Sequence, residues 1–568
     1  MLDLIIFLSF FYFCLFSVLG YGLLFQKFIY PNLNRKFELT LNGFYGLTLI
    51  TFISLTTSYF FPHNHTHNIV LHLVGFLYFF FLSGFKNFRY LKYLLFISLF
   101  VLSSLFISKT HDDFSYYHFP FTKYLTEHYV IFGMGHLNLG YNLISSTFFL
   151  NSTLYLPIIN YFSFHFTSVY FLIFFNFFLI ENLFFKNNNK IIKYFCLLTF
   201  IFFNLSFNRI SEFGTDKTGQ LLVVLLVIYL LNIILYDFKK DKTQKILLLL
   251  PLLGYCITLK TYFIPYIILS FSILLICRSF KNDVKLILNS KAFLFFSIIL
   301  ILNFSHHFVS NGCIISPLAA TCFGEKFIWA MNINEVKGLA LWLEQWAKAG
   351  ASPNLRVNDP IVYIEGFNWL NNWFKEYFLV KFLDQILILL FSFTFLFLIT
   401  KQFKIDKSFS IKSEIKKKLF IFYSLIIVIF LIWLTNHPTL RYGGYSAFFL
   451  LSSIPFLIFL NFFKDKKLTY KKLFVSIFVI FFLFNLKNFH RITQEFKRND
   501  LYKFSNFPYF AIKDKEYKII DNNEIKLYSA HHCWDTPSPC GNINDEINVI
   551  KKGNYLFLFK NKNEIKKN

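Results

Sequence analysis

ILLFSFTFLFLIT (388–400), KQFKIDKSFSIKSEIKKK (401–418) and LFIFYSLIIVIFLIWLT (419–435) follow one another directly, and their reading decides the fold. Two uncharged apolar runs flank a turn that holds seven lysines. A helix needs roughly 20 apolar residues to cross a bilayer, and Lys and Arg near span ends stay on the cytoplasmic side. The stretch is therefore two membrane spans joined inside the cell. The far end of the second run leads into NHPTLRYGGY (436–445), which has one Arg and no Lys and so belongs to the opposite face.

Working outward, the same reading gives about fourteen spans: 3–26, 39–61, 69–85, 91–108, 153–180, 191–207, 220–236, 246–259, 261–277, 292–309, 382–400, 419–435, 445–463 and 471–486. With 56% hydrophobic residues and 85 Phe in 568, the chain exceeds what a soluble core uses. Lys260 and Pro265 divide 246–259 from 261–277, which are either one kinked helix or two half-membrane helices. The seven loops 27–38, 86–92, 186–193, 237–245, 278–291, 401–418 and 464–472 hold 29 Lys and Arg in 77 residues, whereas the intervening segments hold 12 in 144. The first set faces the cytoplasm, which places both termini outside. A bacterial inner membrane is the expected location. The net charge of +25 then marks topology and anionic lipid and requires no nucleic-acid partner. The first run has no basic segment before it and is too long for a cleaved signal, so it reads as a retained helix.

Three regions follow: a three-span extension (1–90), a transmembrane core (91–486) with outward loops 109–152 and 310–381, and a small outward domain (487–568). Both loops, rich in Tyr, Phe and Trp, suit helices lying in the membrane interface. The last region alternates apolar and polar residues in YKIIDNNEIKLYSA and NVIKKGNYLFLFK and reads as strands. Cys14, Cys196, Cys256 and Cys277 lie in apolar runs, whereas Cys313 with Cys322 and Cys533 with Cys540 fall in outward segments at loop-closing spacing, predicting two local disulfides.

Chemistry concentrates on the outward face. His111-Asp112-Asp113, with Tyr116 and His118 close behind, sets two carboxylates at the end of a span, where repulsion and desolvation both penalise them. Such a pair supplies a general base for an acceptor hydroxyl, with the second group orienting it or holding a divalent cation through oxygen. The plain alternative is an acidic helix N-cap. Glu212, Asp216 and Lys217 lie with Arg209 in a nine-residue turn beside hydrocarbon, where mutual pairing competes with ligand binding. In HPTLRYGGY, Arg441 offers a planar fork matched to phosphate, with His437 and Tyr442 beside it; a snorkelling interfacial Arg is the alternative. Lys260 is a second phosphate contact or an outer anchor. WAKAG (346–350) reads as architectural, with Lys348 its one ligand contact, and His63, His65 and His67 as an exposed, solvated turn. Walker A, dinucleotide, HExxH and nucleophile-elbow patterns are absent.

The acidic pair after a span, the two outward loops and the outward C-terminal region together resemble the GT-C class of membrane glycosyltransferases. That resemblance implies an all-helical polytopic fold and a polyprenyl-phosphate-linked sugar donor used on the extracytoplasmic side. It further implies Asp112 or Asp113 as base and cations such as Arg441, Lys217 or Lys260 on the leaving phosphate. The family places its acidic loop after the first span; here three more spans precede it, which keeps the loop on the same face. HDDFSYYHFP, WAKAG, HPTLRYGGY and CWDTPSPC are also similar to bacterial multi-span proteins without an assigned activity. A glycan polymerase or ligase is the other enzyme reading, and a transporter or lipid flippase the reading from another class.

Overall fold

Lipid offers the backbone no water to bond, so an apolar run crosses it as helix. In the computed structural model the apolar runs are helical over most of their described length. The structure describes residues 2–31, 39–82, 88–107, 109–186, 189–235, 242–272, 280–352, 355–406, 413–466, 468–498, 502, 516–522, 524–543 and 546–560. Parts of the basic loops (32–38, 236–241, 273–279, 407–412), the ends of the runs 69–85, 220–236 and 261–277, and Cys277 lie outside the described residues.

Among the described residues seven helices are long and apolar enough to cross a membrane: Leu2–Ile29, Tyr161–Phe184, Thr215–Leu235, Lys291–Asn311, Leu370–Thr400, Ser413–Asn436 and Tyr470–Arg498. The other apolar runs form shorter helices, among them Leu41–Thr57, Lys245–Leu259, Thr261–Ser270 and Gly444–Leu460. The run read as starting at 153 becomes helical only at Tyr161.

Tyr161–Phe184 and Thr215–Leu235 are enclosed by the rest of the bundle, whereas Leu370–Thr400 and Ser413–Asn436 are peripheral and largely uncovered. Close packing replaces the hydrophobic effect as the force between such helices. A Cβ on Gly20 would come 1.8 Å from the Gly75 carbonyl oxygen, and one on Gly46 1.8 Å from that of Val18. These glycines let the first three helices approach backbone to backbone. Phe7 and Phe11 meet Phe166 edge to face at 4.8 and 5.1 Å, locking the N-terminal helix onto the enclosed one. Asn176 and Asn204 exchange amide hydrogen bonds of 2.9 and 2.8 Å inside the bundle.

The loop 109–152, expected as helices in the membrane interface, is covered by protein. It forms short helices, Phe119–Glu127 and Ser146–Ser152, with 3-10 turns between, and is buried along most of its length. The reason is a protein cover: the C-terminal segment docks on it. Lys123 Nζ donates to the carbonyls of Asp535 (2.5 Å) and Thr536 (3.0 Å), Tyr141 Oη to that of Cys540 (2.5 Å), and Phe132 exchanges backbone bonds with Leu556 and Leu558. The covering segment is β, as expected: Lys518–Asn522 pairs antiparallel with Ile525–Ser529, which pairs parallel with Cys540–Gly541, and Ile547–Lys552 forms a hairpin with Tyr555–Lys560. Cys313–Cys322 and Cys533–Cys540 are disulfide-bonded, and Cys14, Cys196 and Cys256 are buried thiols. Trp369 and Trp373 of the 310–381 loop are buried, while Trp342 stays 40% exposed.

The solvated reading of the histidine turn is also corrected. His63 is fully buried, bonds Thr57 and Ser152, and stacks on His67 at 4.7 Å. Alternating polarity in a short turn cannot reveal that a later segment packs over it.

Candidate functional site

Four segments far apart in sequence bring charge to one place, and each is aimed by a local break in helical structure. Asp216 lies in the first turn of the Gly214–Leu235 helix, after the 3-10 turn Ile210–Phe213. Lys260 is extended (φ −159°, ψ 144°) between the Leu250–Leu259 helix and the 3-10 helix Thr261–Ser270. Over residues 246–270 the structure has two short helices with irregular backbone between them, which lipid tolerates only where it faces protein or a cavity. Arg441 is on the 3-10 turn Leu440–Tyr442, closed by Gly443 at φ +92°, a conformation that favours glycine. That turn is fastened by Trp373 Nε1 to the Pro438 carbonyl (2.8 Å), Trp433 Nε1 to that of Thr439 (2.9 Å), and the Leu440 N–H to Tyr377 Oη (2.7 Å). His111 and Asp113 open the 109–152 loop, and the His111 N–H donates to the Glu212 carbonyl at 3.2 Å.

Arg441 is the hub. Its Nη2 is 2.5 Å from Asp113 Oδ2, its Nε 2.9 Å from Asp216 Oδ2 and its Nη1 3.3 Å from His111 Nε2. Lys260 Nζ reaches Asp216 Oδ1 at 3.2 Å, and Tyr262 Oη donates to the same oxygen (3.2 Å) and to the Arg441 carbonyl (3.0 Å). His111 Nδ1 is 3.3 Å from Asp113 Oδ2. The same Nδ1 accepts the Asp113 backbone N–H at 3.2 Å. Trp346 and Tyr442 lie 5.4 and 5.6 Å from the guanidinium carbon. Gln220 bonds the Leu440 carbonyl and the Ser446 N–H, joining this turn to the Asp216 helix.

Exposure separates the two carboxylates. The Asp216 side chain is 3% exposed and spent on Arg441 and Lys260; that of Asp113 is 27% exposed. Burial alone would lift the Asp113 carboxyl, but the Arg441 guanidinium, with His111, holds it well below the usual carboxylate range. His118 is buried, its Nε2 has no hydrogen-bond partner among the described residues, and burial with Lys260 nearby pushes its imidazole down to about 3.

The remaining expected residues are divided. Asp112 is exposed, outside the network. Tyr116 faces His531 and His532 of the C-terminal segment. Glu212 pairs with Arg209 (3.1 Å) and Lys109 (3.7 Å), behind the site. Lys217 lies over the Phe207 ring at 5.0 Å. Lys348 is turned into its own loop, on Glu344 (2.5 Å), the Ile364 carbonyl (3.2 Å) and the Trp369 ring. Among the described residues no group of three or more His, Cys, Asp or Glu is placed to hold a metal ion, and Arg441 fills the space between Asp113 and Asp216. Sequence reasoning passed over Tyr262, Gln220 and the ring of Trp346. Tyr262, two residues after Lys260, was the most legible of them.

Two cavities flank the network. One, of about 350 Å³, is mainly apolar and lined by residues of the 109–152 and 310–381 loops (Tyr117, Leu143, Pro317, Leu343), by Lys260, Tyr262 and Tyr266, and by Ile429, Trp433, His437 and Tyr442. The other, of about 670 Å³, is the more polar, with His111, Arg209, Asp216, Lys217, Trp346, Lys381, Arg441 and Lys487 beside the apolar Leu205, Val380, Leu387 and Ile388. Arg441 and Asp216 on one wall, and Tyr442 and Lys260 on the other, make the ion network the partition between them.

Residues 3–449 match the model of a family described as a domain of unknown function, DUF8201. No curated protein and no solved structure matches the chain.

Proposed function

The chain belongs to the DUF8201 family, and from its own geometry we propose that it is an integral membrane glycosyltransferase. It moves a sugar from a polyprenyl-phosphate donor to an acceptor hydroxyl on the extracytoplasmic face of a bacterial inner membrane. In this reading all fourteen apolar runs traverse or enter the bilayer and both termini lie outside.

One observation carries the proposal: an apolar cavity and a polar cavity meet at a network of two cations and two carboxylates. A polyprenyl-phosphate sugar has the same order of parts: hydrocarbon, anion, polyol. The acceptor oxygen attacks the anomeric carbon from the face opposite the phosphate. The carbon–oxygen bond to phosphate breaks, its electron pair leaves with polyprenyl phosphate, and the acceptor proton passes to a carboxylate. One displacement inverts the anomeric centre.

The resting network explains how base and clamp are coupled. Paired with Arg441, Asp113 is a poor base. A donor phosphate competes for the guanidinium fork, which suits two parallel hydrogen bonds to phosphate, and Lys260 adds a second charge against the leaving group. Drawing Arg441 away releases Asp113 to accept the proton, so the base is strengthened when the donor is in place.

The test needs no membrane gradient. Purified protein is incubated with a polyprenyl-phosphate sugar and a hydroxyl acceptor, and release of polyprenyl phosphate is followed. A transferase gives product; a transporter or flippase gives none, and that outcome rejects the proposal. Topology is tested separately by impermeant thiol labelling, with Ile361→Cys expected to label from outside and Ser413→Cys only after permeabilisation.

A further inference from the structure

We infer that the polar cavity binds the anionic headgroup of a membrane lipid, which makes the acceptor an anionic lipid and not a soluble sugar or a protein. The lipid site stands on the cavity itself; its assignment as acceptor rests on the transferase reading above.

Charge is the first observation. Arg209, Lys217, Lys381 and Lys487 line this cavity with Arg441, against Asp216 and Asp384 in the lining and Glu212 behind it, which holds Arg209 at 3.1 Å; Lys487 also donates to the Leu205 carbonyl at 3.2 Å. Asp216 is already held by Arg441 and Lys260. The cations come from separate places: the turn before the Gly214–Leu235 helix and that helix's first turn, the Phe374–Phe382 segment, and the Tyr470–Arg498 helix. Gathering like charges among apolar helices costs both repulsion and desolvation, and a bound anion offsets both. Ser206 Oγ, on the same wall, is buried without a hydrogen-bond partner among the described residues, leaving a donor for an anionic oxygen.

Access is the second observation. Val380 and Leu387, both on the rim, are 61% and 56% exposed. They stand on the peripheral Leu370–Thr400 helix, whose uncovered side meets lipid in this bundle. A ligand passing them comes from the bilayer. The cavity's 670 Å³ accommodates a phosphoglycerol-sized headgroup, with acyl chains left against those residues. The other cavity, mainly apolar, suits the first isoprene units of the donor, so the two lipids approach the ion network from opposite sides.

The experiment reads binding without turnover. Full-length protein in a neutral detergent is titrated with fluorescent phosphatidylglycerol and fluorescent phosphatidylcholine. Phosphatidylglycerol is expected to bind on the order of 10-fold tighter, and the double variant Lys381→Gln, Lys487→Gln to lose most of that preference. The charge-keeping double variant Lys381→Arg, Lys487→Arg is expected to retain it, which separates charge from folding. Equal affinity for the two lipids, or a preference unchanged in the Gln variant, overturns the site. Displacement of the lipid by millimolar soluble glycerol phosphate overturns it in favour of a soluble anion. Selective lipid binding by a protein that releases no polyprenyl phosphate keeps the site and removes the transferase reading. Polyprenyl phosphate release with transfer only to soluble acceptors removes the acceptor assignment alone.

Discussion

The Lys190–Ser206 helix, about 25 Å long at 1.5 Å per residue, has an ionic cluster near each end. Beyond its C-terminal end lies the network of Asp113, Asp216, Lys260 and Arg441. At its N-terminal end, Asp465 is held by Lys190, by Lys401 at 2.5 Å and by Tyr194 Oη at 3.1 Å. Each cluster joins a carboxylate to two cations and a tyrosine. The Asp465 cluster fastens a short antiparallel pair, Lys401–Ile405 with Phe463–Asp465, and neither cavity reaches it. The Arg441 network fastens no sheet; it divides two cavities and gathers residues from four distant segments. Burial and charge alone therefore do not mark a site. Placement on a cavity wall, with residues drawn from four distant segments, sets the Arg441 network apart; partial exposure does not, since Asp113 and Asp465 are 27% and 25% exposed.

The largest expected effect tests that division directly. Arg441→Lys keeps the charge but loses the fork, and is expected to lower polyprenyl phosphate release by ~10²-fold or more. Lys401→Gln should leave release near wild type while lowering the unfolding temperature, because it breaks a buried pair that only holds structure. Equal catalytic losses from both would erase the distinction. Next, Asp113→Asn removes the proton acceptor with little change of shape and is expected to cost ~10²-fold, with a smaller loss for the exposed Asp112→Asn. The reverse order would make Asp112 the base and Asp113 a structural partner of Arg441.

A smaller effect concerns pH, because the Arg441 end has histidines and the Asp465 cluster has none. His118 is held down to about 3, below its usual 6.5, with Lys260, Asp113, Asp216 and Arg441 around it. Between these values the unfolded chain binds more protons than the folded one, so stability falls as pH drops below 6.5. The depressed Asp113 keeps its contribution above about 4 and loses it only as pH falls further. Thermal unfolding at pH 7 and 4.5 should therefore show an acid loss that His118→Gln reduces. An unchanged loss assigns the acid sensitivity elsewhere.

What the chain discloses unaided follows from what lipid forbids. Apolar runs and basic turns are visible because the bilayer penalises every exception, and Asp113, Asp216, Lys260 and Arg441 were legible as charges beside hydrocarbon. Their convergence was not, since it depends on how helices pack across more than 300 residues, from Asp113 to Arg441. Tyr262, Gln220 and Trp346 escaped because a hydroxyl, an amide or an indole in an apolar run is ordinary there. The burial of His63 and of the loop 109–152 was illegible for a shared reason: their cover comes from other parts of the chain, which no local pattern announces.

The bond from Lys123 to the Asp535 carbonyl spans 412 residues, and that from Tyr141 to Cys540 spans 399. In time, this means that the 109–152 loop waits for its cover until the segment carrying Asp535 and Cys540, about 400 residues later, has been translated. Insertion of the helices and completion of the site become separate events, the second timed by arrival of the Cys533–Cys540 loop. A ribosome stalled before Trp534 would leave an inserted bundle with an open, protease-sensitive 109–152 segment. Pulse-chase proteolysis should show that segment becoming resistant only after synthesis passes Gly541.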